Sequence, residues 1–273
     1  MSRFRPHVLR LLDVHLDDSS SIPNFFFKKL LNFFGINVSS KTFVFFKRFY
    51  RKTGFHIKIS KSFSKYGEDL ILSKYLPELS GSYLDIGSSN PTLGSNTFFF
   101  YRKGWSGVTI DPLEKSFLKH KVMRKRDSQF LGVVTGSTDT NAKIIFYEYS
   151  ADDFSTTSEG RYLELLKAGI SPVNIRDAKV ISLKQLNLLV GPLEPYLLDI
   201  DIEGDELAVL KSINWQVFLP RVVAVEEWVS PIYVPTDIRL LLEGKGYVLA
   251  SRAAITSIYV HNNYLQQTNK TKS

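Results

Sequence analysis

From Ser64 onward, short apolar runs alternate with helical stretches, separated by turns rich in Gly, Pro and Asn. This alternation predicts an α/β domain with a mostly parallel central sheet, since parallel neighbours need crossover connections. Strands are expected at Tyr83 to Ile86, Val108 to Ile110, Phe130 to Val134, Lys143 to Tyr149, Tyr196 to Ile202 and Val222 to Val225. Helical periodicity covers Gly67 to Tyr75, Asn96 to Lys103, Phe117 to Met123, Arg161 to Leu166, Leu183 to Leu189, Asp205 to Ser212 and Ile238 to Glu243. Tyr247 to Arg252 with Ile255 to Val260 makes a closing antiparallel hairpin, and the chain turns polar from Asn262.

The first 62 residues follow another pattern. Phe26, Leu30, Phe33 and Phe34 recur at helical spacing, as do Phe45, Phe46, Phe49 and Tyr50, leaving Lys28, Lys29, Lys47, Arg48, Arg51 and Lys52 for other faces. Two short amphipathic helices are expected there. The chain thus divides into a basic, Phe-rich extension at 1–62, a catalytic-sized domain at 63–262 and a polar tail at 263–273.

Charge sharpens that division. The net charge is +8, yet residues 1–62 alone hold twelve Lys and Arg against three Asp, together with eleven of the twenty Phe. The remainder holds 23 basic and 24 acidic residues. Such an extension either packs its Phe on the domain or on a second copy, giving a homo-oligomer, or docks at a membrane surface where anionic head groups meet its lysines. Nucleic acid is the least suited partner, because the rest of the chain is near neutral and has no zinc finger or basic stripe. No apolar run approaches the roughly 20 residues that span a bilayer. Asp13, His15, Asp17 and Asp18 interrupt what would be a signal peptide's apolar region. The chain has no Cys, which excludes disulfides, Cys-ligated zinc, iron–sulfur clusters and thiol nucleophiles and fits a reducing compartment. A cytoplasmic protein is expected, peripheral at the membrane face if the extension docks there.

The first chemical signal is the end of the first strand. Tyr83-Leu84-Asp85-Ile86-Gly87-Ser88-Ser89-Asn90 puts an acid at the strand end and a Gly at the sharp turn, where α/β sheets bind ligands. A dinucleotide fold would show G-x-G-x-x-G, but only Gly87 and Gly94 occur, so no pyrophosphate cradle is expected. An acid there suits a ligand with an amino group and no phosphate, as at the methionine end of S-adenosylmethionine. Asp111 ends the second strand, where a carboxylate can accept both hydroxyls of a ribose. The plainer reading is that Asp85 and Asp111 cap the turns that follow them.

Acids gather again at later strand ends. Asp199, Asp201, Glu203, Asp205 and Glu206 follow one another on and after the central strand, and Glu226 and Glu227 end the next. By the period of two, Asp199, Asp201 and Glu203 share one face of an extended strand. A carboxylate there, Asp201 with Glu203 and Glu226 beside it, can take the proton of an attacking hydroxyl. Alternatively Asp201, Glu226 and Glu227 offer oxygen ligands to Mg²⁺ or another divalent cation. Asp205 and Glu206 suit the first turn of a helix better than a site. The five histidines are scattered, with no pair at helical spacing.

Taken together, Ser64-Lys65-Tyr66-Gly67-Glu68-Asp69, Leu84-Asp85-Ile86-Gly87, Ser95-Asn96-Thr97, Gly104-Trp105-Ser106-Gly107, Ile110-Asp111-Pro112 and Asp201-Ile202-Glu203-Gly204 resemble the FkbM-type methyltransferases over roughly residues 63–228. The resemblance implies a class I, Rossmann-like methyltransferase fold and S-adenosylmethionine-dependent methylation of a hydroxyl on a sugar, glycan, glycolipid or natural product. It implies that Asp85, Gly87, Ser88 and Asp111 hold the cofactor, with Glu68, Ser95 and Asn96 lining its pocket. Two positions depart from the pattern: Lys65 stands where relatives usually have Gln, and Glu226-Glu227-Trp228 where many have a His nearby. The competing expectations are a nicotinamide-dependent sugar oxidoreductase and a noncatalytic docking module on the same fold.

Overall fold

The computed structural model describes residues 62–137, 139, 141–151, 154–182, 195–227 and 235–265. The chain divides between Ser62 and Phe63, and every element below belongs to the second unit. Both helices expected in the extension, and the one expected at Leu183 to Leu189, lie outside the described residues.

In chain order the elements begin with α1 (Glu68–Tyr75), β1 (Ser82–Ile86), α2 (Phe98–Arg102), β2 (Ser106–Asp111), α3 (Glu114–Met123) and β3 (Ser128–Leu131). An antiparallel ribbon follows, β4 (Ile144–Glu148) and β5 (Asn174–Ala178), with α4 (Glu159–Lys167) between its strands. Then come β6 (Leu197–Ile200), α5 (Glu206–Ser212), β7 (Val222–Glu226), α6 (Asp237–Glu243), β8 (Tyr247–Ala253) and β9 (Thr256–His261). Seven strands form the central sheet in the order β3-β2-β1-β6-β7-β9-β8. The first five are parallel, and the closing hairpin joins β7 antiparallel through β9. The strand order reverses between β1 and β6, so the crossovers leave on opposite sides and open a crevice at the strands' carboxyl ends.

Alternation along the buried strands sorts side chains onto two faces. Leu84, Ile86, Leu198, Ile200, Val223 and Val225 pack with Val209 and Leu210 of α5 and Leu242 of α6. Tyr83, Leu197, Val222 and Ala224 face the other way and pack with Leu72 and Leu76 of α1, Phe100 of α2 and Trp105. These core side chains are almost fully buried, and each large one contributes roughly 1.5–3 kcal/mol by leaving water. The same alternation assigns Asp85, Asp111, Asp199 and Glu226 to the α1/α2 face of four neighbouring strands. Register confirms the neighbourhood, since Asp85 lies opposite Asp199 across β1 and β6.

Most expected elements form within a few residues of their expected limits. Three differ. The central strand stops at Ile200, short of the expected Ile202, because Glu203 is in the left-handed region (φ 59°) and ends the extended run. The third parallel strand spans Ser128–Leu131, and Val133 instead bridges to Val180. β5 was not expected, because Asn174-Ile175-Arg176-Asp177-Ala178 is mostly polar and its strand state comes from pairing with β4. Tyr264 and Leu265 pack against the α1/α2-side core, beyond the expected domain end at 262. No helix among the described residues is long and apolar enough to cross a membrane.

Candidate active site

A cleft of about 360 Å³ opens at the carboxyl ends of β1, β2, β6 and β7. One side is a ledge built on the β1 turn. The backbone N–H groups of Gly87 and Ser88 both donate to the Ile110 carbonyl, at 2.9 and 3.1 Å, which folds the turn over β2. Gly87 takes φ 86°, and a Cβ there would lie 1.7 Å from the Asp201 carbonyl oxygen. Only glycine fits this point, and the Ser88 side chain beside it is buried in the cleft wall.

Asp111 accepts the Ser89 N–H on one carboxylate oxygen and the Leu113 N–H on the other, each at 2.7 Å. It does cap the turns around it. The residue also lines the cleft, so these bonds fix its carboxylate at the cleft wall. Asp85 accepts the Thr97 hydroxyl, and burial pushes its carboxyl up to about 6, with the nearby Arg124 guanidinium and the Thr97 bond opposing the rise. Asn96 donates to Asp199 at 3.1 Å, and burial followed by the charge of Asp85 raises the Asp199 carboxyl well above the usual range. Glu68 accepts the Tyr66 N–H at 2.7 Å, closing the α1 side. A glycine that nothing else can replace, two strand-end acids and a polar Ser95–Asn96 wall fit S-adenosylmethionine, with its amine, ribose hydroxyls and lack of phosphate. Asp85, Gly87, Ser88 and Asp111 would hold it, and Glu68, Ser95 and Asn96 line the same cleft.

On the β6/β7 side of the cleft, Asp201, Glu203 and Glu226 bring a carboxylate oxygen each within 4.8 Å of one another. Strand periodicity is not what gathers them. The chain leaves β6 at Ile200, and the left-handed Glu203, whose carbonyl accepts the Thr156 hydroxyl at 2.8 Å, turns back toward Glu226 at the end of β7. Asp201 stands in the open cleft, where water reaches it although protein surrounds its carboxyl. That crowding, then the charges of Glu226 and Glu206 and a bond to Glu226, holds its carboxyl well above the usual range, against the pull of Lys65.

Glu227 requires a correction. The step from Glu226 to Glu227 reverses the side-chain direction, placing Glu227 on the α5/α6 face. There its carboxylate accepts the Tyr259 hydroxyl at 2.8 Å and the hydroxyl of Thr236, which caps α6. It does not line the cleft, whereas Glu203 does. Asp205 and Glu206 serve the turn and the start of α5. Glu206 accepts the Ile202 and Gly204 N–H groups at 3.2 and 3.0 Å, and Asp205 accepts the Thr157 hydroxyl at 2.9 Å.

One important residue was not anticipated. Arg124 is fully buried behind the ledge, donating to the Pro91 carbonyl (2.8 Å), Thr97 hydroxyl (2.8 Å) and Ser95 hydroxyl (2.5 Å), and lies 3.6 Å from Asp127. It fixes the segment that carries Ser95, Asn96 and Thr97. In sequence it is hidden within Arg124-Lys125-Arg126-Asp127, which reads as solvated charge; the only signal is an acid three residues on. His120 lies nearby, its ring nitrogen 3.1 Å from the Ser89 carbonyl, and burial, then Arg124, pushes it down to about 4, so it is neutral.

Residues 85–249 match the Methyltransferase FkbM domain, more than half of the chain. No curated protein matches the chain. Among solved structures, a TehB-like SAM-dependent methyltransferase from Corynebacterium glutamicum is similar at 11% identity and TM-score 0.39, covering 82% of this chain and 98% of its own. Monomeric WbdD is similar at 15% identity and TM-score 0.36, covering 71% of this chain and 40% of its own. TehB from Haemophilus influenzae is similar at 10% identity and TM-score 0.37, covering 78% and 66%. The domain match replaces the oxidoreductase and noncatalytic alternatives: the chain belongs to the FkbM methyltransferase family and is an S-adenosylmethionine-dependent methyltransferase.

Proposed function

We propose that this enzyme methylates a hydroxyl of a sugar, glycan or glycolipid acceptor, with Asp201 as the group that takes the hydroxyl's proton. The observation that carries the reading is the gathering of Asp201, Glu203 and Glu226 in the same cleft as the cofactor ledge, their carboxylate oxygens within 4.8 Å of one another. A carboxylate that holds a proton more tightly than usual is a better base for a weakly acidic hydroxyl, and it stays within reach of water for release. The bound cofactor supplies an electrophilic methyl on a sulfonium, whose C–S electron pair returns to sulfur on transfer. Asp201 receives the proton, Glu226 and Glu206 raise its affinity by their charge, and Lys65 at the rim balances part of that charge. Tyr66, half exposed, with Ser155 and Thr157, gives the mouth an aromatic plane among hydroxyls, a surface suited to a polyhydroxyl ring. The test is radiolabelled methyl transfer to fractionated glycans and glycolipids from the source cells. Label in alkali-stable ethers supports the proposal; label only in amines or carboxyl esters overturns it.

A second reading shares the same acids. Asp201, Glu203 and Glu226 could hold Mg²⁺ or another divalent cation that lowers the hydroxyl's pKa, since hard cations take oxygen ligands in such groups. Glu203 takes the place expected for Glu227. A rate unchanged after exhaustive chelation leaves proton transfer to Asp201 as the account, and a rate lost on chelation and restored by Mg²⁺ favours the cation.

A further inference from the structure

The described domain is nearly neutral in total, but its charge is unevenly spread. On α3, Ser116 and His120 face inward. The opposite ridge carries Leu118 and Val122, one turn apart and 53% and 70% exposed. Helical geometry puts Lys115 and Lys119 along one side of that ridge and Lys121 along the other. Lys125 and Arg126 follow the helix, also exposed. Arg126 donates to the Tyr101 carbonyl and so joins this surface to the end of α2, where Arg102 and Lys103 are exposed. Glu114 is the acid on the exposed face of α3.

A favourable macrodipole accounts for a cation in the last turn of α3, such as Lys121. It does not account for an apolar ridge raised into water between rows of lysine. Apolar apex and flanking cations are what a helix lying in the boundary layer of an anionic bilayer presents. A buried side chain links the end of this helix to the cleft wall. Arg124, directly after α3, holds the Pro91 carbonyl, and Leu93, two residues on, is 73% exposed and lines the cleft mouth.

We propose that the exposed face of α3 docks the methyltransferase domain on an anionic lipid surface, with Leu118 and Val122 entering the head-group boundary and the surrounding lysines meeting lipid phosphates. Nucleic acid is the poorer match, because the apolar ridge occupies the centre of the patch. The test is co-sedimentation of the full chain with phosphatidylglycerol–phosphatidylcholine vesicles. Lys119→Glu with Lys121→Glu, and separately Leu118→Ser with Val122→Ser, are compared with wild type, and S-adenosylhomocysteine binding serves as the folding control. None of these residues lines the cleft. Each pair should weaken vesicle binding about tenfold, the charge pair losing most of the salt dependence and the apolar pair retaining it. Unchanged vesicle binding in both pairs, no wild-type binding to anionic vesicles, or a loss confined to a DNA duplex run in parallel would each overturn the proposal.

Discussion

The two sides of the cleft use carboxylates in opposite ways. On the β1/β2 side, Asp111 is held by two backbone N–H groups and Asp85 by a hydroxyl beside a buried guanidinium, so their positions are set before a ligand arrives. On the β6/β7 side, Asp201, Glu203 and Glu226 face one another, and the charges of neighbouring acids raise the proton affinity of Asp201. A preorganised ledge suits recognition of a fixed cofactor; mutually repelling acids suit a proton or a cation that comes and goes. Substitutions should therefore separate affinity from turnover according to the side they touch.

The largest expected effect is on the β6/β7 side. Asp201→Asn keeps the shape and the backbone carbonyl beside Gly87 but removes the proton acceptor, so turnover should fall about 10²–10⁴-fold. S-adenosylhomocysteine affinity, read by calorimetry, should change less than about threefold. Asp111→Ala should do the reverse. Loss of charge-assisted acceptance costs about 1.5–3 kcal/mol in cofactor affinity, with turnover at saturation largely kept. If both variants lose affinity and rate in the same proportion, the two sides act as one unit and the comparison fails.

The next effect concerns what supports the ledge. Arg124→Met removes the cation from a buried group that also includes Asp127, whose carboxylate accepts the Tyr83 hydroxyl on both oxygens. Breaking a buried pair from one side typically costs about 3–5 kcal/mol. Chemical denaturation should show that loss. Arg124→Lys keeps the charge but cannot reach Pro91, Ser95 and Thr97 together, so it should recover part of the stability and little of the cofactor affinity. Full recovery of both by Lys would mean that charge alone matters there.

How much of this was legible in the sequence follows from the range of each interaction. The α/β alternation, the strand-end acids and Gly87 were readable because they depend on local periodicity and on one turn. The wall at Ser95 and Asn96 was available through family resemblance. What escaped depends on tertiary contact. Arg124 looks like surface charge until the loop at 91–97 folds over it, and β5 is a strand only because β4 pairs with it. Glu203, expected beside Asp201 along an extended strand, is brought there by its own left-handed turn instead, and one step of strand alternation carries Glu227, expected as a cation ligand, through to the far face.

A smaller effect should appear in the pH dependence of the cofactor-free protein. Burial raises Asp85 to about 6 from 3.8, so the folded protein binds the proton more tightly than the unfolded chain, and Asp85 lowers stability as pH rises through this window. Burial lowers His120 to about 4 from 6.5, so its contribution rises with pH over nearly the same interval. The two slopes oppose each other. His120→Gln removes one, and stability of this variant should then fall between pH 4 and 6 by roughly 1–3 kcal/mol more than wild type. In the same interval, cofactor affinity should rise with pH as Asp85 ionises to meet the ligand's amine. A variant whose stability is flat across the interval would show that neither Asp85 nor its neighbouring carboxyls Asp199 and Asp201 gain proton affinity on folding.

The smallest expected effect is the one that fixes the border of the site. Glu227 was a candidate cation ligand by sequence, and the fold turns it to the opposite face, where it joins Tyr259 on β9 to Thr236 at the start of α6. Glu227→Gln preserves one carbonyl acceptor and places an amide N–H₂ against hydroxyls that can rotate to accept from it. The cost should be about 0.5–1.5 kcal/mol of stability, since a charge-assisted bond is exchanged for a neutral one and no group is left unpaired. Turnover and any response to Mg²⁺ should match wild type within about twofold, because nothing in the cleft moves. Glu203→Gln is the paired control: it alters the charge around Asp201 and should lower turnover at least as far as it lowers stability. If instead Glu227→Gln abolishes activity while Glu203→Gln is silent, the alternation that separates Glu226 from Glu227 is wrong, and the acids of the β6/β7 side have to be reassigned.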